Sequence, residues 1–241
     1  MTSPQTTGIP WLSIDSLEFP SIHTALSEPD GLLAAGGDLS AERLALAYKQ
    51  GIFPWYEEGQ PILWWSPDPR AVIVPDQFSA SRSLQKTLRR NKFKVKRDSA
   101  FDSVIEHCSE PRNYAEGTWI SSEMEVAYRK LHRLGLAHSI ETYMDGELVG
   151  GLYGLAMGQL FFGESMFHIE TDASKVAFAF LCRLLSEQRC PMIDCQLPNA
   201  HLESLGVITI PRAEFETQLN LYADHHQPIN WDILPTLLSP W

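Results

Sequence analysis

Apolar positions along the chain change period several times, and each change marks an element. Ser40, the run Ala-Glu-Arg-Leu-Ala-Leu-Ala-Tyr-Lys-Gln and Gly51 supply the side-chain cap, helical body and glycine stop of a complete helix. Trp64 to Val74 reads as a strand interrupted by Pro67 and Pro69. Leu84 and Leu88, four apart, give an apolar seam to a basic helix from about Ser81 to Asn91, and a strand follows through Phe93 to Lys96. Asp98 opens a further short helix in this reading. Ser122 and Glu125 form a capping-box pattern at the start of a helix running to Gly135. There the pattern turns β-rich, and His138 to Met144, Glu147 to Leu155 and Gln159 to Met166 predict an antiparallel meander with turns at Asp145-Gly146 and Met157-Gly158. Asp172 to Gln188 is helical and strongly apolar. Met192 to Gln196 is a short strand, Asn199 to Leu205 a short helix stopped by Gly206, and Val207 to Ile210 a last strand.

The order β-β-β-α-β-α-β is that of an acetyltransferase-like (GNAT-like) α+β fold with a mixed sheet. With 241 residues, 44% of them hydrophobic, the chain can form one large domain or a small one leaning on a larger one. No apolar run reaches the ~18 residues of a membrane span, and the N-terminus has neither a basic nor an apolar leader region, so a soluble, cytoplasmic protein is expected. Cys108, Cys182, Cys190 and Cys195 lack metal-site spacing and predict reduced thiols, with no metal.

The net charge of −11 conceals a segment of opposite sign. From Gln77 to Arg97 lie eight basic residues, Arg82, Lys86, Arg89 and Arg90 among them, and no acidic one. Such a stripe on an acidic body fits a protein that grips a polyanion at one place and repels it elsewhere, although a solvated amphipathic helix has the same pattern. Between Gly51 and Arg70 the chain carries Trp55, Trp64 and Trp65 among four prolines. Indoles in a proline-pinned loop suit either a small tryptophan core or the capture of a flat group such as a base.

Gly163-Glu164-Ser165-Met166-Phe167 has Phe where a nucleophile elbow needs Gly, which argues against a serine hydrolase. A phosphate-binding loop with Lys-Ser/Thr and the pyrophosphate turn of a coenzyme A enzyme are both missing from the sequence, and no cofactor is expected. Gly150, Gly151 and Gly154 fall inside a predicted strand and signal close backbone approach. In Ile193-Asp194-Cys195-Gln196, alternation puts Asp194 and Gln196 on one face, able to share a ligand, and Cys195 on the other. Asp194 in an apolar strand, and Glu164 among Phe161, Phe162, Met166 and Phe167, are each either paired for structure or functional.

The blocks Gly-Leu-Leu-Ala-Ala-Gly-Gly-Asp-Leu (31–39), Gly-Ile-Phe-Pro-Trp (51–55), Trp-Trp-Ser-Pro-Asp-Pro-Arg (64–70), Glu-Gly-Thr-Trp-Ile (116–120), Gly-Glu-Ser-Met-Phe (163–167) and Ile-Asp-Cys-Gln (193–196) carry a more specific signal. In this order they resemble the bacterial leucyl/phenylalanyl-tRNA–protein transferase family. The resemblance implies a small N-terminal α/β domain, residues 1–70, before an acetyltransferase-like catalytic domain, residues 71–241. It implies a monomer that moves Leu or Phe, and Met less well, from its tRNA to the N-terminal Arg or Lys of a protein. By the same resemblance Asp194 assists proton removal or orients the amine through Gln196, and Glu164 holds the cationic acceptor. Trp55 and Trp119 clasp the 3′-terminal adenosine with Tyr48 close by, and Arg82, Lys86, Arg89 and Arg90 meet tRNA phosphates. Leu152, Phe161, Met166, Phe178 and Ile193 are assigned here to the aminoacyl side-chain pocket. The rival readings are an aminoacyl-tRNA-dependent ligase of cell-wall precursor peptides, a coenzyme A acyltransferase, and a non-catalytic module that binds tRNA ends.

Overall fold

A computed structural model describes residues 8–110 and 120–232 of the chain. Four short strands open it, Trp11–Leu12 (β1), Leu32–Gly36 (β2), Phe53–Pro54 (β3) and Leu63–Trp65 (β4), in a sheet of order β1-β2-β4-β3. Between β2 and β3 lies helix α1, Ala41–Lys49, capped as its sequence predicts by the Ser40 hydroxyl on the Arg43 N–H. The tryptophan segment is largely this sheet's own core. Trp64 is fully buried and donates its indole N–H to the Gly36 carbonyl at 2.9 Å, and Trp65 donates to the Trp55 carbonyl at 2.6 Å. Trp55 stays 41% exposed, the one of the three free to meet a ligand face.

A seven-stranded sheet makes up most of the rest. Its elements in chain order are Arg70–Ile73 (β5), Arg82–Arg90 (α2), Lys94–Arg97 (β6), Phe101–Ser109 (α3), Ser122–Arg133 (α4), Ala137–Met144 (β7), Glu147–Met157 (β8), Leu160–His168 (β9), Ala173–Glu187 (α5), Met192–Gln196 (β10), Ala200–Glu203 (α6), Ile208–Ile210 (β11) and Arg212–Tyr222 (α7). The spatial order is β11-β5-β10-β9-β8-β7-β6, with β9 and β10 parallel and the other neighbours antiparallel. The run β7-β8-β9-α5-β10-α6-β11 thus has the expected acetyltransferase-like order. The expected single strand from Trp64 to Val74 is two: the cis Asp68-Pro69 bond lies where the chain leaves the small sheet as β4 and enters the large one as β5.

Two local readings change, and one helix is added. Asp98 opens no helix: it takes φ +47° and spends its carboxylate on the Ser139 N–H at 2.8 Å and on His138 at 2.7 Å, while α3 starts at Phe101. The cap of α4 is Ser121, whose hydroxyl accepts from the Met124 N–H, and Glu125 instead pairs with Arg129. Helix α7 buries only Phe215 and Leu219, a seam too narrow to announce itself in the sequence.

One apolar core runs without a break from the small sheet into the large one, joining Tyr48, Ile52 and Trp64 to Tyr128, Tyr153 and Phe162. The other face of the large sheet carries α5 and a second core that includes Ile229 and Trp231. The strand glycines are contact points, as expected. A Cβ on Gly150 would lie 2.5 Å from that of Ala173, and one on Gly154 would lie 2.1 Å from the Phe162 carbonyl oxygen.

Candidate active site

Two β-bulges shape the site. On β9, Gly163 pairs with Gly154 and Ser165 with Tyr153, which leaves Glu164 as the extra residue between two pairs. On β10, Asp194 pairs with Val72 and Gln196 with Ala71, which leaves Cys195 extra. Simple alternation fails at both. Asp194 and Gln196 therefore do not share a face: Gln196 and Cys195 line a cleft of about 540 Å³, and Asp194 lies behind its wall.

Asp194 is 1% exposed and faces Arg70, itself fully buried, across two short bonds, Nε to Oδ1 at 2.8 Å and Nη2 to Oδ2 at 2.7 Å. A bidentate guanidinium–carboxylate pair of this kind is strong and geometrically specific. The guanidinium also donates to the Gly51 carbonyl at 3.1 Å and is stacked between the rings of Phe53 and Phe215, 4.8 and 4.6 Å from their centroids. Asp194 Oδ1 further accepts the backbone N–H of Gln196 at 2.9 Å, which holds Gln196 at its left-handed φ of +59°. Asp194 thus ties the base of the tryptophan segment to the position of Gln196.

Glu164 lies on the cleft floor. Its Oε1 accepts from the Tyr48 hydroxyl at 2.7 Å and from Gln196 Nε2 at 3.0 Å, and its Oε2 accepts from the Tyr128 hydroxyl at 2.9 Å; the two hydroxyls also touch each other. Burial pushes the Glu164 carboxyl up to about 7; the two tyrosine hydroxyls oppose that rise, nearby Asp194 adds to it, and Gln196 again opposes it. Burial, with the Glu164 charge next, holds both phenols well above the usual tyrosine range, so they remain protonated donors. Burial likewise raises the Cys195 thiol far above neutral pH, so it offers no thiolate nucleophile.

Leu152, Phe161, Met166, Phe178 and Ile193, the expected apolar pocket, all line this cleft, and Trp55 stands at it as well. Tyr48, expected close to the terminal adenosine, is fully buried, edge-on to Phe162 at 5.3 Å, with its hydroxyl on Glu164. Trp119 lies outside the described residues. Arg82, Lys86, Arg89 and Arg90 occupy exposed positions of α2. Thr87 ties that helix to the cleft by donating to Asp172 at 2.9 Å, two residues before the cleft residue Ser174. Sequence reasoning missed Arg70 and Tyr128. Arg70 closes one of the quoted blocks, and its place at the head of an apolar strand was the available sign; Tyr128 reads as one more member of the buried stripe Met124, Ala127, Tyr128, Leu131.

Fold and site together define an acetyltransferase-like protein whose cleft joins an apolar pocket to a caged carboxyl group. A model of the leucyl/phenylalanyl-tRNA protein transferase family matches residues 72–220, and the model of that family's N-terminal domain matches residues 37–68. The leucyl/phenylalanyl-tRNA–protein transferase of Stutzerimonas stutzeri is 56% identical over 221 residues, 92% of this chain and 98% of that one. That of Pseudomonas putida KT2440 is 57% identical over 221 residues, with the same coverage. The chain belongs to the leucyl/phenylalanyl-tRNA–protein transferase family. It is an aminoacyltransferase, with an aminoacyl-tRNA and a protein acceptor as partners. Among solved structures, an aminoglycoside acetyltransferase from a soil metagenome matches with a TM-score of 0.35 and 16% identity over 48% of this chain and 84% of that one. No helix among the described residues is long and apolar enough to cross a membrane.

Proposed function

We propose that this protein acts as a cytoplasmic monomer that transfers Leu or Phe, and Met less well, from aminoacyl-tRNA to the N-terminal Arg or Lys of acceptor proteins. The peptide bond so made leaves the transferred residue at the N-terminus, where it serves as a degradation signal. The observation that carries this reading is one cleft with an apolar wall of Leu152, Phe161, Met166, Phe178 and Ile193, a polar floor of Glu164 and Gln196, and exposed Trp55 beside it. An aminoacyl ester is already activated, and an α-amine with an ordinary pKa of about 8 is partly free base at neutral pH. Holding the two in line supplies much of the acceleration without a covalent intermediate.

In this reading the apolar wall takes the unbranched or γ-branched side chain and excludes β-branched Ile and Val by shape, a margin of about 1–3 kcal/mol. Glu164 and Gln196 receive the amino end of the acceptor. Of the two roles open to Asp194, the geometry supports anchoring of Gln196 over proton removal, since Arg70 and the Gln196 N–H occupy the carboxylate. Trp55, with Trp119, stacks on the terminal adenosine, and the basic face of α2 holds acceptor-stem phosphates. A boundary near residue 70 divides an N-terminal domain, 1–70, from the catalytic domain, 71–241; it lies between the two family-model matches and at the start of β5.

The deciding assay incubates the purified protein with radiolabelled Leu-tRNA and two peptides, one beginning with Arg and one with Ala, without coenzyme A. Label on the Arg peptide alone supports the donor and acceptor rules together. Label on neither returns the chain to the readings of tRNA-end module or cell-wall ligase. For the basic helix, reversing the charge of Arg89 and Arg90 should lower the slope of log K against log salt for tRNA binding by about 1–2. An unaltered slope, measured by filter binding, would make α2 a solvated face only.

A further inference from the structure

We propose that Glu164 is the catalytic proton acceptor of the transfer reaction, and that Tyr48 and Tyr128 form with it a hydrogen-bonded ring that stores the proton between bond formation and release of the tRNA. This rests on the transferase reading above and assigns the step that reading leaves open.

Proton counting supports it. Glu164, Tyr48 and Tyr128 make three oxygen–oxygen contacts around a ring, Tyr48 to Oε1, Tyr128 to Oε2, and hydroxyl to hydroxyl. Two phenols bring only two hydrogens to three contacts. The ring is complete when the carboxyl carries a third: Oε2–H then donates to Tyr128, Tyr128 to Tyr48, and Tyr48 to Oε1. A cage that is one hydrogen short as the carboxylate, and filled as the acid, is built to take up a proton. A carboxylate has about four acceptor positions. Tyr48 and Gln196 use those of Oε1 and Tyr128 uses one of Oε2, so one position on Oε2 has no donor among the described residues, on a residue that lines the cleft.

The other acids and bases near the reacting atoms are less well placed. Asp194 is committed to Arg70 and lies off the cleft. His168 and His201 line the cleft but lie on exposed stretches outside the cage. The titratable groups facing Glu164 are Tyr48 from α1, Tyr128 from α4, Tyr153 from β8 and Asp194 from β10, the last neutralised by Arg70. With a carboxyl raised to about 7, proton uptake and return are both accessible at neutral pH.

The step balances without any other reactant. The lone pair of the acceptor amine attacks the ester carbonyl carbon, and the new C–N bond forms as one N–H proton passes to Glu164. The C–O bond to the ribose then breaks with its electron pair on oxygen. That oxygen takes the proton back from Glu164 and leaves as the free hydroxyl of the tRNA.

Glu164→Gln keeps the shape of the side chain and removes its basicity. With saturating Leu-tRNA and Arg peptide, kcat should fall about 100-fold or more, while the KM for Leu-tRNA stays within about twofold. In the wild type, kcat should rise with pH through a limb near 7, and that limb should be gone in Glu164→Gln. A variant with wild-type kcat, or one that keeps the limb, overturns the proposal and points to His168 or His201. If the variant does not fold, judged by circular dichroism, the wild-type profile decides: a kcat that is flat between pH 6 and 8 rejects Glu164 as the proton acceptor. Failure of the wild type to label the Arg peptide at any pH rejects the transferase reading itself and is thereby distinct.

Discussion

Asp194→Ala should lower folding stability by about 3–5 kcal/mol as well as abolish transfer, because it strands a buried guanidinium. Arg70 cannot turn to solvent: it is 0% exposed, stacked between Phe53 and Phe215 and bonded to the Gly51 carbonyl. Its charge would remain inside with no opposite charge in contact. Chemical denaturation of the two proteins measures this, and transfer must be assayed well below the midpoint of the variant. The double variant Arg70→Met/Asp194→Leu separates anchoring from folding. An apolar pair of similar volume should restore most of the stability, since buried ion pairs often exchange for hydrophobic groups at little net cost. Activity should stay absent, because the Gln196 N–H has lost the oxygen that fixes its turn. Wild-type stability in Asp194→Ala would show that the pair is not the clamp described here.

The second large effect is a dependence of stability on pH. The folded-state pKa of Glu164 is about 7, above its ordinary 4.5, so the folded state binds this proton more tightly than the unfolded chain does. The resulting stabilisation is fully present below about pH 4.5 and is lost as pH rises through 7. Between pH 5 and pH 8 the wild type should therefore lose about 2 kcal/mol relative to Glu164→Gln, a figure that allows for the partial opening of the side chain to the cleft. Because the comparison is with a variant that cannot titrate at this position, contributions from other groups cancel. Parallel stability curves at pH 5 and pH 8 would mean that the cage does not hold its carboxyl in the way described.

The parts of the fold that were legible in the sequence are those with local signals. Ser40 and Gly51 bracket α1, Asp145-Gly146 turns β7 into β8 with positive φ at both residues, and the apolar run after Asp172 is a helix because nearly every face of it is buried. The small sheet was not legible, because its strands are two to five residues long and the buried run Leu32–Gly36 has no alternation. Within the site, side-chain chemistry was readable and direction was not. A single extra residue in β9 and another in β10 re-aim Glu164, Asp194 and Gln196, and nothing in a period-two pattern announces a bulge. The resemblance puts Tyr48 near the adenosine, whereas the burial of α1 turns it inward. The Arg70–Asp194 pair spans 124 positions, which no local pattern can register.

The continuous core has a consequence for the order in which the protein becomes competent. Tyr48 reaches Glu164 across 116 positions, and Arg70 reaches Asp194 across a similar gap. Contacts this distant must wait for loop closure and form late in folding. A nascent chain on the ribosome therefore holds no working site until the strand ending at Gln196 has emerged and closed against the first helix. Aminoacyl-tRNA is abundant around a translating ribosome, and an enzyme that consumes it comes into action only once that late strand is in place.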